Sequence, residues 1–302
     1  MKKTAISIIT IIVVFLYGIA VKEFKIFPYQ WVSDIKQTYK DKNKYLPARK
    51  PDRIIPYKEI NGTSLYLHIF NPAMHKNSDK TPAIIFFFGG SWLTGTPRQF
   101  YPQCEYLSKK GMVCISAEYR VKSRHGTSPQ ECVKDAKSAI RWVREHAKTL
   151  GIDPDKLAAG GASAGGQMAA AAGVVSGFEE ENEDKDISSK PNALVLYNPV
   201  FDNGPEGYGY ERVKAYWKAF SPIHNINENA PPTVIFLGTD DHYIPVETAK
   251  RYQSMMHKHH IRCDLHLYEH QKHAFFNKAR FHETITETEK FLRSLGYIQP
   301  KK

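Results

Sequence analysis

The sequence predicts an α/β protein, a mostly parallel sheet with helices on both faces. Three observations carry this. Strand-like runs alternate with helical segments along most of the chain. Several of those runs are apolar without a break, as strands covered on both faces are. One of them enters Gly161-Ala-Ser-Ala-Gly165 and continues into an alanine-rich stretch, a strand-turn-helix junction. With 302 residues, 42% of them hydrophobic, the chain can bury one large core, and α/β folds of this length commonly form one domain. No internal repeat is visible.

The elements follow in order. Runs at 65–70 and 83–88 read as strands, and the second ends in Gly89-Gly90-Ser91-Trp92. Backbone N–H groups of Gly89, Gly90 and Ser91 are candidates to hold an oxyanion. A strand at 112–116 precedes a helix over 129–149, where Cys132, Ala136, Ala139, Ile140 and Val143 recur at spacings of three and four as a core-facing stripe.

The strand at 156–160 leads into the turn that carries Ser163. Gly161 and Gly165 let strand and helix approach closely, while Ala162 and Ala164 keep the flanks small. Serine then stands alone above the sheet as a nucleophile. The helix behind it aims its free N–H groups, Ala164 first, at the place where an acyl oxygen becomes negative.

The acidic run 179–186 reads as a solvated surface loop. After a strand at 193–198, residues 201–222 form a small cap insertion rich in aromatics. Tyr208 and Trp217 there, with Trp92, are candidates to stack on a sugar ring or cover an acyl group.

A strand at 233–238 ends in Asp240-Asp241. The pattern Gly-Thr-x-Asp-x-x-x-Pro favours Asp241 as the acid that orients a histidine, with Asp240 as the alternative. The last strand, 262–268, precedes His270 and His273. His273 is favoured because Ala-Phe-Phe follows it and tucks the loop against the core. The chain order Ser, Asp, His completes a triad.

Taken together, these pieces resemble the α/β-hydrolases of the acetyl-esterase and feruloyl-esterase-like branch, near the hormone-sensitive-lipase group. The resemblance covers about four fifths of the chain, residues 54–295. Phe88-Gly-Gly-Ser-Trp92 is similar to the family's HGGG[FW] loop, and Glu118-Tyr-Arg to its DYR segment. Gly161 to Gly165 is the elbow, Gly238-Thr-x-Asp241 the acid segment, and His273-Ala-Phe matches HGF. Phe88 replaces the family histidine and Ser91 its third glycine, which leaves the geometry of that loop open.

The resemblance implies the α/β-hydrolase fold, a Ser163–His273–Asp241 catalytic triad and an oxyanion hole from Gly89, Gly90, Ser91 and Ala164. It implies serine ester hydrolysis without a cofactor. Segment 119–132 resembles exported bacterial relatives that deacetylate polysaccharides, which implies a small ester or acetylated saccharide as substrate. A lipid or general carboxylesterase, a peptidase and a catalytically silent binding protein on the same scaffold are the alternatives.

The N-terminus reads differently. Met1-Lys2-Lys3 precedes an uncharged apolar stretch over residues 5–21. This is either an export signal, with Gly18-Ile-Ala20 as its cleavage site, or a retained anchor of roughly 25 Å against a hydrocarbon core of ~30 Å. The protein is therefore expected to be exported, to periplasm, cell surface or medium, with membrane association through residues 5–21 if they remain. Residues 22–51 read as a basic linker and 52–297 as the hydrolase domain.

Of the net charge of +11, the first 53 residues hold +7, with 11 basic residues against four acids. The folded region is thus nearly balanced, with no basic stripe or motif for nucleic acid. Cys104, Cys114, Cys132 and Cys263 form no C-x-x-C pair and fall in core-like elements, so free buried thiols are expected. The histidines from 257 to 273 lack paired carboxylates, and no metal is expected.

Overall fold

A computed structural model describes residues 49–299. The export or anchor segment and nearly all of the linker lie outside the described residues. Eight strands form one sheet in the order β1-β2-β4-β3-β5-β6-β7-β8. They are β1 Arg53–Ile60, β2 Thr63–Phe70, β3 Thr81–Phe87, β4 Val113–Ala117, β5 Ile152–Ala162, β6 Ala193–Tyr197, β7 Thr233–Gly238 and β8 Cys263–Tyr268. β1 and β2 pair antiparallel, as do β2 and β4, and every later pairing is parallel.

The apolar runs explain the layering. Every residue of β4, β6 and β7, and all of β3 from Ala83 on, is buried. Successive side chains point to opposite faces, so both faces of these central strands are covered. β8 at one edge is only partly buried, and Leu267 there stays exposed. β1, the other edge, is a strand absent from the sequence expectation. Tyr57 alone among its eight residues is buried, so it carries no apolar run to announce it.

The longer helices are α1 Tyr101–Ser108, α2 Pro129–Glu145, α3 Ala164–Val174, α4 Val246–Lys258 and α5 Phe281–Ser294. α2 starts where the sequence places it, because Ser128 just before Pro129 and Glu131 in the first turn form a capping box. It stops earlier than expected, at Glu145, and a separate short turn of helix covers Ala147–Leu150.

The acidic run 179–186 departs from its reading as a solvated loop. Glu179 pairs with Lys137 and Arg141, Glu183 with Arg141, and Glu180 with Lys58 and Arg120. Lys58 and Arg120 also clasp the fully buried Asp135 at 2.7 Å each. The acids thus neutralise cations on α2, on β1 and after β4, where a lone buried charge would cost several kcal/mol, on the order of 3–5. Glu181, Asp184 and Asp186 remain exposed.

All four cysteines are buried and free, as the sequence led one to expect. Burial pushes each thiol well up, which makes them inert packing groups. Among the described residues no helix is long and apolar enough to cross a membrane.

Candidate active site

Three parallel strands bring the site together at their C-terminal ends. β5 ends at Ala162, and Ser163 follows with φ 53° and ψ −119°, a conformation side chains rarely adopt. Three backbone hydrogen bonds offset that strain. The Ser163 N–H donates to the Tyr197 carbonyl at 3.0 Å, and its own carbonyl accepts from Gln167 at 3.0 Å and Val200 at 3.2 Å.

The flanking glycines are required by space. A Cβ on Gly165 would lie 2.1 Å from the Phe87 carbonyl oxygen, and one on Gly161 2.4 Å from the Gly165 oxygen. Helix α3 therefore meets the end of β3 backbone to backbone.

Asp241 stands after β7 and His273 after β8. His273 Nδ1 lies 2.7 Å from Asp241 Oδ2. The other carboxylate oxygen accepts the Tyr243 and Ile244 N–H groups, at 2.9 and 3.0 Å. The acid is thus fully buried yet satisfied at both oxygens, and it fixes the Nδ1–H tautomer of the imidazole. His273 keeps 20% of its side chain exposed, enough to meet a ligand.

The rival residues also find each other, His270 Nδ1 lying 3.8 Å from Asp240. They do so in solvent, with 87% and 42% of their side chains exposed, where such a pair neither orients nor excludes water. Phe275 and Phe276 are buried behind His273, and Phe276 stacks on Phe100 and Tyr197. The expected tucking of this loop is what the structure has.

Asn198 is a residue that sequence reasoning missed. Fully buried just after β6, it accepts the Ala274 N–H at 3.2 Å and presents its Nδ2 to His273 Nε2 at 3.3 Å. With Tyr197 holding the Ser163 amide, two adjacent residues brace the serine and the histidine together. Its position beyond a parallel strand's C-terminal end, where functional groups gather in open α/β sheets, was the available signal.

The loop after β3 is held without the family histidine. The Phe88 ring stacks on Tyr119 at 4.0 Å, and the Tyr119 hydroxyl donates to the Phe88 carbonyl at 2.7 Å. Gly89 departs from its expected part, because its N–H donates to Gln99 Oε1 at 2.6 Å and is occupied in bracing the turn. Gly90 and Ser91 N–H groups have no acceptor among the described residues. The Ala164 N–H opens helix α3, where no intrahelical acceptor exists.

Of the expected substrate contacts, Tyr208 is half-buried at the site, its hydroxyl 2.5 Å from Ser91 Oγ. Its ring meets Tyr243 edge-on at 5.8 Å, and Tyr243 meets the His273 ring at 5.1 Å. These rings form a wall from the glycine turn to the histidine.

Trp92 differs from its expectation. It is 1% exposed, with its indole N–H on Gln167 at 3.3 Å, so it offers no face to a sugar. Trp217 packs against Tyr210 and Gly204 of the insertion and His224 just past it. No cluster of His, Cys, Asp or Glu among the described residues is arranged to hold a metal ion. The arrangement suits attack by an activated hydroxyl on an ester carbonyl.

The chain is similar to known esterases. Residues 67–203 match the family model described as BD-FAE, and residues 206–294 that of the dienelactone hydrolase family. Esterase LipC of Mycobacterium tuberculosis is 29% identical over 57% of this chain and 47% of its own length. The acetylxylan esterase of Xylanibacter ruminicola is 25% identical over 62% of this chain and 39% of its own. The chain spans about half the length of the first of the curated relatives it matches.

Among solved structures, the apo form of Thermogutta terrifontis esterase 2 is 42% identical. It aligns over 84% of this chain and 98% of its own with a TM-score of 0.81. Its propionate-bound form is 43% identical over 83% and 96%, with a TM-score of 0.79.

Proposed function

We propose, from the premise that this chain belongs to the α/β-hydrolase superfamily and to its esterases, that it is a serine carboxylic ester hydrolase that removes short acyl groups, acetyl first, from carbohydrate. The observation that carries the reading is the His273–Asp241 contact of 2.7 Å beside the Ser163 elbow.

His273 Nε2 takes the Ser163 proton as the oxygen attacks the ester carbonyl, and returns it to the departing alcohol. Asp241 keeps the ring in the tautomer that leaves Nε2 unprotonated, and stabilises the imidazolium. N–H groups of Gly90, Ser91 and Ala164 receive the oxyanion, each worth about 3 kcal/mol in comparable sites. Water then repeats the sequence on the acyl-enzyme, and nothing in this cycle calls for a metal or cofactor.

Two facts support a short acyl group on a sugar. One relative is named an acetylxylan esterase, and the Thermogutta esterase has been solved with propionate and with butyrate bound. The Tyr208–Tyr243 wall beside His273 supplies aromatic faces for a sugar ring in place of Trp92. Export belongs to the same reading, since polysaccharide lies outside the cell and residues 1–21 have the basic start and apolar core of an export signal.

The test is release of acetate from acetylated xylan, and of nitrophenol from C2 to C8 acyl esters, by the full chain and by Ser163→Ala. Acetate release lost in Ser163→Ala supports the reading. Turnover of only the longer nitrophenyl esters sinks the carbohydrate substrate and leaves the esterase. A folded, inactive wild type sinks both.

A further inference from the structure

The cap insertion does more than border the site, because it is fastened to the turn that carries the oxyanion donors. Ser91 and Trp92 both have left-handed backbones, with φ of 59° and 61°. Consecutive residues with a Cβ do not hold that conformation unaided. A glycine would, and the resemblance places a glycine at position 91.

The Leu93 and Thr94 N–H groups close the turn on the Gly90 carbonyl and the Lys122 N–H caps the Trp92 carbonyl, but the partners that reach Ser91 itself come from the cap. The Tyr208 hydroxyl is 2.5 Å from Ser91 Oγ, and Arg212 donates to the Ser91 carbonyl at 2.9 Å. Gly209 lies so close over the Trp92 ring that a Cβ there would be 2.9 Å from it. Beneath, Gln167 of α3 accepts the Trp92 indole N–H and donates to the Phe220 carbonyl at the cap's far end, at 3.1 Å. Cap, turn and nucleophile helix are thus one hydrogen-bonded assembly around Ser91.

We propose that Tyr208 is a positioning residue for the oxyanion hole. Its hydroxyl, acting through the Ser91 side chain, holds the Ser91–Trp92 turn in the left-handed geometry that leaves the Gly90 and Ser91 N–H groups free for the reacting oxygen. The proposal rests on the esterase reading for its catalytic consequence. Its structural half, a turn held by the cap, stands independently. Serine at position 91 then couples the geometry of the oxyanion hole to the cap.

Three variants and two readouts test it. Tyr208→Phe keeps the ring and removes the hydroxyl, and is expected to lower kcat about tenfold with KM within about twofold, the mark of an interaction made in the transition state. Ser91→Gly holds the turn without help and is expected to lose less than about threefold. In that glycine background Tyr208→Phe is expected to change kcat less than about twofold, because the hydroxyl has no partner left to hold.

Hydrogen exchange of peptides covering residues 89–95 is expected to quicken in Tyr208→Phe and not to respond to it in the glycine background. An equal kcat loss in both backgrounds would mean that the Tyr208 hydroxyl acts on substrate directly and would overturn the proposal. So would unchanged exchange in Tyr208→Phe. A wild type that turns over no ester refutes the esterase reading instead, and the exchange rates still decide whether Tyr208 holds the turn.

Discussion

Replacing Asp241 by asparagine tests how the acid works, because the surrounding donors dictate how the new amide sits. Oδ1 accepts two backbone N–H groups, from Tyr243 and Ile244, so an asparagine must put its oxygen there. Its NH2 then occupies the place of Oδ2, 2.7 Å from His273 Nδ1. A donor at that point requires Nδ1 to accept, which moves the ring proton to Nε2. Nε2 then has no lone pair for the Ser163 proton, and its N–H also faces the Asn198 NH2 at 3.3 Å.

Both effects act on catalysis, while the backbone bonds survive. We expect kcat to fall about 10⁴-fold, or ~5.5 kcal/mol at 1.36 per decade, as the wrong tautomer does in serine hydrolases. Asp240→Asn, in the exposed pair, is expected to stay within about twofold, since surface pairs contribute little. The assay is nitrophenyl acetate turnover, with thermal melts to show that both variants fold. Asp241→Asn within tenfold of wild type, or Asp240→Asn as damaging, would refute the argument.

Two further outcomes follow from the packing and the ion pairs. Gly165→Ala places a Cβ 2.1 Å from one backbone oxygen and 2.4 Å from another. Neither can rotate away, so the ~1 kcal/mol of helix propensity gained is outweighed by strain of several kcal/mol. Urea unfolding is expected to show a large stability loss together with lost turnover, and a variant of wild-type stability would refute the close approach.

Glu289 is drawn down to about 2. Burial raises this carboxyl, but hydrogen bonds from Lys110, Tyr106 and Arg293 outweigh it. Its folded value lies below the unfolded ~4.3, so its stabilisation is full above that pH and is lost as pH falls toward 2. Glu289→Gln is expected to flatten the stability profile over that window, measured by denaturant melts at stepped pH. A profile identical to wild type would show the carboxylate unimportant.

Much of this was legible in the chain itself, because it is written in local chemistry. Unbroken apolar runs announced the strands buried on both faces, and the stripe from Cys132 to Val143 announced the buried face of α2. Small residues around Ser163 announced a turn that no bulkier sequence can make. β1 escaped, since a strand at the sheet's edge buries one side chain, Tyr57, and has no period to read.

The rest depended on partners far apart in sequence. The pairing of Asp241 with His273, which the sequence favoured, is made across 32 positions inside the fold, while Asp240 and His270 meet only in solvent. Gly89 lost its free N–H to Gln99, and Trp92 was drawn into the core by Gln167, 75 positions away. Asn198 reached His273 across another 75. Three acids of the run at 179–186 were called inward by cations on other elements. Residue type and spacing determine what a segment is able to do. Whether its donors, acceptors and charges remain available is settled only when folding brings distant groups within about 3 Å and removes the water that would otherwise satisfy them.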